Sequence, residues 1–143
     1  MATRNGNAIW RGDLQSGTGE VTVGNGVFTG NYSFKSRFED GDGTNPEELI
    51  AAAHAGCYSM QLSAMLAEAG TPPTSVDTSA VCSLRNIDGK PTIDRIRLTT
   101  VGDVPGLSED EFQKVAAEAK EACLISRALA GVKEIELEAR LKH

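Results

Sequence analysis

Apolar and polar residues change their spacing several times along the chain, and each change marks an element. Asn7 to Trp10 alternates weakly, and Glu20 to Val23 is a short strand candidate. Gly24-Asn25-Gly26 reads as a hairpin turn, because Gly and Asn tolerate positive φ. From Tyr32 onward, Tyr32, Phe34, Ser36 and Phe38 stand opposite Ser33, Lys35, Arg37 and Glu39. That period of two predicts a strand with Arg37 on the face away from the aromatics, ended by Asp40-Gly41-Asp42-Gly43.

A helix then begins, with two overlapping start signals one residue apart. Thr44 with Glu47 makes one capping box; Asn45-Pro46-x-Glu48 makes another, with Pro at the first helical position. The helix is expected to run to about Ala69, where Gly70 and Pro72-Pro73 stop it. Between Leu49 and Leu66 only His54, Ser59, Gln61 and Ser63 are strongly polar, so the helix is expected to be central and covered on several sides. A small monomer has little with which to cover it, which argues for a dimer.

Two strands follow, Ser75 to Leu84 and Pro91 to Val101, joined by a turn at Asp88-Gly89-Lys90. Ser108 with Glu111 caps an amphipathic helix from Glu109 to about Ala122, whose apolar positions are Phe112, Val115, Ala116 and Ala119. A shorter helical piece, Leu124 to Ala130, stops at Gly131. Ile135, Leu137, Ala139 and Leu141 then alternate with Glu134, Glu136, Glu138 and Arg140, the pattern of a half-buried strand. No repeat, low-complexity tract or long linker divides the chain, so residues 1–143 read as one domain of the α+β class, built on antiparallel hairpins.

Composition adds constraints. Hydrophobic residues make up 40% but aromatics only 5%, so small side chains carry much of the apolar content and favour close helix packing. Fourteen basic against twenty acidic side chains leave a net charge of −6, which disfavours a nucleic-acid partner. No apolar run reaches the roughly 18 residues of a membrane span. Met1 to Asn7 is polar and lacks the apolar core of a signal peptide, which points to the cytoplasm. Three cysteines (Cys57, Cys82, Cys123) are far apart, and only His54 and His143 join them, so neither a disulfide framework nor a zinc site is expected.

Each cysteine has two readings. Cys57 follows Ala51-Ala52-Ala53-His54-Ala55-Gly56, small residues that suit either a tight helix crossing or the approach of a substrate to the sulfur. Being mid-helix, it gains little from the helix N-terminal field, so a reactive Cys57 needs a cation brought from elsewhere. Cys123 is either a core residue at a helix junction or a thiol that moves to form a disulfide. Cys82 falls in a strand beside Ala80 and Leu84 and is assigned to the core. Arg37 can be a solvated strand residue, and Glu47 and Glu48 are explained by their place in a first helical turn. His54, one turn before Cys57, can act as a base toward the thiol or be a satisfied helix histidine.

Arg37-Phe38-Glu39, Gly43-Thr44-Asn45-Pro46-Glu47-Glu48-Leu49-Ile50, Ala52-Ala53-His54-Ala55-Gly56-Cys57 and Cys123-x-x-Ser126 together resemble the OsmC/Ohr family, the osmotically inducible and organic hydroperoxide resistance proteins. The segment from Ala8 to Leu14 and the tail Ile135-Glu136-Leu137 extend the likeness over nearly the whole chain. His54 between Ala53 and Ala55 looks like the OsmC branch. The resemblance implies an intertwined homodimer with long central helices against curved antiparallel sheets. It implies a thiol peroxidase that reduces organic hydroperoxides, and less efficiently hydrogen peroxide, without a cofactor. Cys57 matches the peroxidatic cysteine, Cys123 the resolving one, Arg37 the arginine that stabilises the thiolate and Glu47 the carboxylate that orients it. The implied reductant is a dithiol, with a lipoyl-bearing protein as the suggested donor. One departure stands out: the family has proline after the second cysteine, and here Leu124 is expected to let a helix continue through Cys123.

Overall fold

Glycine turns open the chain. In the computed structural model, which describes residues 1–143, β1 (Gly6–Arg11), β2 (Thr18–Val23) and β3 (Phe28–Tyr32) form an antiparallel sheet in that order. Gly24 and Gly26 take φ of +60° and +92° in the turn between β2 and β3, a backbone region that a Cβ penalises.

The expected strand from Tyr32 is not formed. The chain leaves β3 at Tyr32 and folds into a short helix, α1 (Phe34–Phe38). Ser33 and Ser36 cap it reciprocally: the Ser33 hydroxyl accepts from the Ser36 N–H at 3.1 Å, and the Ser36 hydroxyl accepts from the Ser33 N–H at 2.8 Å. Phe34 and Phe38, read as alternate strand positions, are one helical turn apart, with ring centroids at 5.0 Å. Arg37 therefore lies on a helical turn.

The rival starts of the long helix α2 (Pro46–Glu68) resolve in favour of Asn45. Its Oδ1 accepts from the Glu48 N–H at 2.8 Å, while its Nδ2 donates to the Ser36 carbonyl at 2.8 Å. Pro46 thus holds the first helical position, where a missing N–H costs nothing. With Glu48 beside the cap, Glu47 is left for another partner.

The chain forms two compact units, Met1–Leu49 and Ile50–His143, with α2 beginning in the first. In the second unit α2 buries one stripe spaced by four residues: His54, Tyr58, Leu62 and Leu66. The latter three join Leu98, Phe112, Ala116, Ala119 and Cys123 in one core. Ala53, Gly56, Met60 and Ala64 are exposed. In this unit the helix is thus fully buried along one stripe and exposed on the opposite face, not covered on several sides.

β4 (Ser75–Ile87) and β5 (Lys90–Asp103) make the expected hairpin, turned by Asp88 and Gly89 at φ of +52° and +79°. After β5 come α3 (Glu109–Ala122), capped reciprocally by Ser108 and Glu111, and α4 (Leu124–Ala128). The last strand, β6 (Glu134–Leu141), lies alongside β5 in parallel, giving the order β4-β5-β6. The class is α+β as expected; the second sheet is mixed because the two-helix crossover returns the chain in the same direction.

Candidate active site

Cys57 reaches the site on α2, and Cys123 sits at the joint between α3 and α4. The Cys123 N–H closes α3 on the Ala119 carbonyl at 2.9 Å, and its carbonyl opens α4 by accepting from the Arg127 N–H at 3.0 Å. Between these bonds Cys123 takes φ −57° and ψ 125°, so the helix breaks at this residue and does not continue through it. The break forms with leucine, not proline, at the next position. Cys123 on one side of the break and Ser126 on the other are both held against α2, by Cys57 and His54 respectively.

The two sulfurs stand 3.2 Å apart, across 66 residues of sequence. Cys123 is wholly buried and Cys57 partly open. Their surroundings push the thiols in opposite directions. Burial raises the Cys57 pKa and Cys123 adds to the rise, while the N–H groups of Ile125 and Leu124 work against it. Burial also acts to raise Cys123, but it is outweighed by the Ser126 N–H, the neighbouring Cys57, the Ser126 hydroxyl and the Ile125 N–H, so Cys123 falls below the ordinary thiol value. The Cys123 sulfur closes no formal helix-cap bond, so these N–H groups act as nearby dipoles rather than as a cap.

His54, one turn before Cys57, is fully buried and pairs with Ser126, not with Cys57: Nε2 lies 2.6 Å from the Ser126 hydroxyl. Its Nδ1 is buried without a partner, and burial lowers the ring pKa. Ser126 is the participant that residue-by-residue reasoning missed. Its signal was the Cys123-x-x-Ser126 spacing, which places Ser126 in the first turn after the break.

In the first unit Arg37 meets Glu47. Its Nε lies 3.1 and 3.2 Å from the two carboxylate oxygens, and one terminal nitrogen lies 2.7 Å from Oε1. Glu47 is buried, so the charged fork is held by more than surface chance. The guanidinium also lies 5.3 Å from the Phe38 ring centroid. Beside it a cavity of about 430 Å³ is lined by Trp10, Leu14, Tyr32, Phe34, Arg37 and Phe38. Glu48 has local partners only: Asn45 and the Thr44 hydroxyl at 3.1 Å. Cys82 is half-buried on β4. The four anticipated residues thus form two pairs, Cys57 with Cys123 and Arg37 with Glu47, one in each unit.

Comparison with known proteins gives a consistent picture. The family model described as OsmC-like protein matches residues 39–138, a segment containing Glu47, Cys57 and Cys123. The chain is 45% identical over 140 residues to Peroxiredoxin OsmC of Escherichia coli (strain K12), covering 97% of this chain and 96% of that protein. It is 29% identical to the uncharacterized protein YmaD of Bacillus subtilis (strain 168), covering 94% and 91%. Among solved structures, the organic hydroperoxide resistance protein OhrB of Bacillus subtilis superposes with a TM-score of 0.69 at 25% identity, covering 96% of this chain and 98% of that one. The OsmC-like protein VCA0330 of Vibrio cholerae superposes with a TM-score of 0.77 at 18% identity, covering 97% and 99%, which speaks to fold alone.

Proposed function

The chain belongs to the OsmC-like protein family, and on that premise we propose that it is a thiol peroxidase in which Cys57 reduces a hydroperoxide and Cys123 closes a disulfide behind it. The observation that carries this reading is the 3.2 Å approach of two sulfurs that are 66 residues apart. In the proposed cycle the Cys57 thiolate attacks the distal peroxide oxygen, the O–O bond breaks, and alcohol or water leaves. The resulting sulfenic acid condenses with Cys123, and an external dithiol restores both thiols by exchange. Cys57 takes the first step because it is the more accessible sulfur.

Burial raises the Cys57 pKa, so a reactive thiolate needs a cation beside it. Arg37, oriented by Glu47, fills that role in this reading. The reading includes a homodimer. The exposed small-residue face at Ala53, Gly56 and Ala64 suits such an association.

Organic hydroperoxides are the preferred substrate class over hydrogen peroxide, because each buried CH₂ adds about 0.8 kcal/mol of binding. The name of the Escherichia coli relative and that of the Bacillus subtilis structure both point to peroxide chemistry. A lipoyl-bearing protein fits as the dithiol donor. The cycle is assigned to the cytoplasm, where thiols are kept reduced, with no nucleic-acid or membrane partner. No helix of the chain is long and apolar enough to cross a membrane.

The test is to add a small excess of an alkyl hydroperoxide and to follow mass and thiol content in wild type, Cys57→Ser and Cys123→Ser. A Cys57–Cys123 disulfide in wild type and in neither variant is the expected result. A lasting sulfenic acid on wild-type Cys57 would replace the two-cysteine cycle with a one-cysteine peroxidase. An unreacted Cys57 would remove the peroxidase reading and leave a dimeric binding or structural stress protein with buried thiols.

A further inference from the structure

Three contacts join α2 to the two helices that meet at Cys123, and the proposed cycle uses only the middle one. The Tyr58 hydroxyl donates to the Ala116 carbonyl of α3 at 3.0 Å, the Cys57 and Cys123 sulfurs meet at 3.2 Å, and His54 Nε2 lies 2.6 Å from the Ser126 hydroxyl of α4. The three span 58, 66 and 72 residues of sequence, so none follows from local chain geometry. As α2 runs from His54 through Cys57 to Tyr58, the partners run backwards, from Ser126 through Cys123 to Ala116. The sulfur pair is thus bracketed, with one buried hydrogen bond on each side of the break.

The chain itself does little to fix the angle at that break. A single residue with φ −57° and ψ 125° joins α3 to α4. α4 has five residues, far below the roughly 12 at which a helix holds up by itself, and no side-chain hydrogen bond caps it at Cys123. The bracketing bonds, by contrast, are costly to release. His54 and Tyr58 are wholly buried and Ser126 nearly so. The other ring nitrogen of His54 has no partner, so the imidazole depends on Ser126 alone. Opening either bond in that interior leaves a polar group unsatisfied, a penalty larger than the net worth of the bond.

From these contacts we infer that His54, Ser126 and Tyr58 are positioning residues, which pin α3 and α4 to α2 so that Cys123 stands where its sulfur can bond to Cys57. A disulfide closes at about 2.0 Å, so the sulfurs have only about 1 Å to travel. This role rests on the two-cysteine reading proposed above and deepens its second half. There the Cys57 sulfenic acid and the Cys123 thiol give a disulfide and water. The S–S bond forms, the Cys57 S–O bond breaks, and the leaving hydroxide takes the proton that Cys123 gives up. The Cys57 sulfur is reduced and the Cys123 sulfur oxidised by one electron equivalent each. His54, Ser126 and Tyr58 transfer no proton and touch no peroxide; they raise the effective concentration of one sulfur beside the other.

Effective concentration is measurable without peroxide. The protein is equilibrated in buffers of reduced and oxidised glutathione, where the dithiol and one glutathione disulfide give the Cys57–Cys123 disulfide and two glutathione thiols. Mass analysis after acid quenching gives the ratio of dithiol to disulfide for wild type, Ser126→Ala, Ser126→Thr and Tyr58→Phe. Ser126→Ala and Tyr58→Phe are each expected to lower the effective concentration about fivefold, the effect of one lost hydrogen bond. Ser126→Thr keeps the hydroxyl and is expected to match wild type. An unchanged value in Ser126→Ala or in Tyr58→Phe overturns the inference, and so does a Ser126→Thr as low as Ser126→Ala.

Urea denaturation in both redox states separates positioning from plain stabilisation. A bond that merely holds the fold together supports the dithiol and disulfide forms alike, so its loss leaves the effective concentration where it was. A bond that positions Cys123 is linked to the disulfide, and linkage is reciprocal. Ser126→Ala and Tyr58→Phe are therefore expected to lower the urea midpoint of the oxidised protein more than that of the reduced protein, and equal losses overturn the inference. Failure of the peroxidase reading itself looks different: wild type would form no sulfenic acid with an alkyl hydroperoxide, while the glutathione equilibrium would still report on the two bracketing bonds.

Discussion

Replacing Leu124 by proline should stabilise the protein and at the same time make Cys57 less acidic. Leu124 is the first residue of α4, a position whose N–H has no acceptor within the helix. Its side chain is 67% exposed, so little burial is lost. The residue before it already has φ −57° and ψ 125°, inside the region that a following proline enforces. A substitution whose backbone demands are met in advance acts through the unfolded chain, by removing conformations, and is worth about 0.4–1 kcal/mol. Against this stands the loss of the Leu124 N–H, which favours the Cys57 thiolate; thiol sulfur is a weak acceptor, so that loss is the smaller effect. The net gain should be about 0.5 kcal/mol, or roughly 1–3 °C in Tm for a chain of this size. Urea denaturation of the reduced protein, at equal protein concentration because association shifts apparent stability, measures the first effect. Thiolate titration of Cys57 in a Cys123→Ser background measures the second, with a higher pKa expected in the proline variant. A lower urea midpoint would refute the reasoning, because it would mean that the break at Cys123 is not already shaped for proline.

Three further outcomes follow from the same geometry. Gly102→Ala should destabilise the second unit by about 1–3 kcal/mol, since a Cβ there would lie 2.5 and 2.8 Å from ring atoms of the fully buried Phe112; an unchanged urea midpoint would contradict this. Burial lowers the His54 pKa below 6.5, so on acidification the unfolded chain is protonated first. The contribution of neutral His54 is therefore complete above about pH 6.5 and shrinks as the pH falls toward its folded pKa, and His54→Gln should lack that part of the pH slope in denaturation titrations. Glu47→Gln should cost about 1 kcal/mol by weakening a charge-assisted fork whose arginine is partly exposed; equal thermal stability of the two forms would show the pair to be incidental.

Local chemistry was legible in the sequence wherever one short motif decided the matter. Ser108 with Glu111, the Asp88-Gly89 turn and the alternation from Ile135 to Leu141 all formed where their residues required. The long helix carried two valid start signals, and a contact outside the helix, from Asn45 to the Ser36 carbonyl, supports the one adopted. Phe34 and Phe38 were misassigned because residues four apart satisfy both a strand period and a helical turn over so short a window; the Ser33–Ser36 cap held the deciding information. The parallel pairing of β6 was not legible, since an alternating pattern records which face is buried and nothing about direction. The meeting of two helical pieces at Cys123 was legible, but the backbone break between them was not, since no proline or glycine marks it. For the site, Cys57 and Cys123 could be named one by one, but the 2.6 Å pairing of His54 with Ser126 belongs to tertiary structure alone.

The parallel strand β6 has a consequence for the order in which the protein is made. Cys57 leaves the ribosome 66 residues ahead of Cys123, and Cys123 is held in place by a crossover that is complete only when β6 has docked beside β5. The Gln113 side chain bonds the Ala139 carbonyl and the Glu109 carboxylate accepts from the Leu141 N–H, so α3 is anchored by a strand synthesised after it. Non-local parallel pairing of this kind is slow to form. During that interval the nascent chain carries Cys57 without its neighbour, and a thiol oxidised then has no partner sulfur at hand to stop it short of irreversible forms. The strand that is last to pair thus decides when the protein first becomes safe in the presence of the oxidants it is proposed to consume.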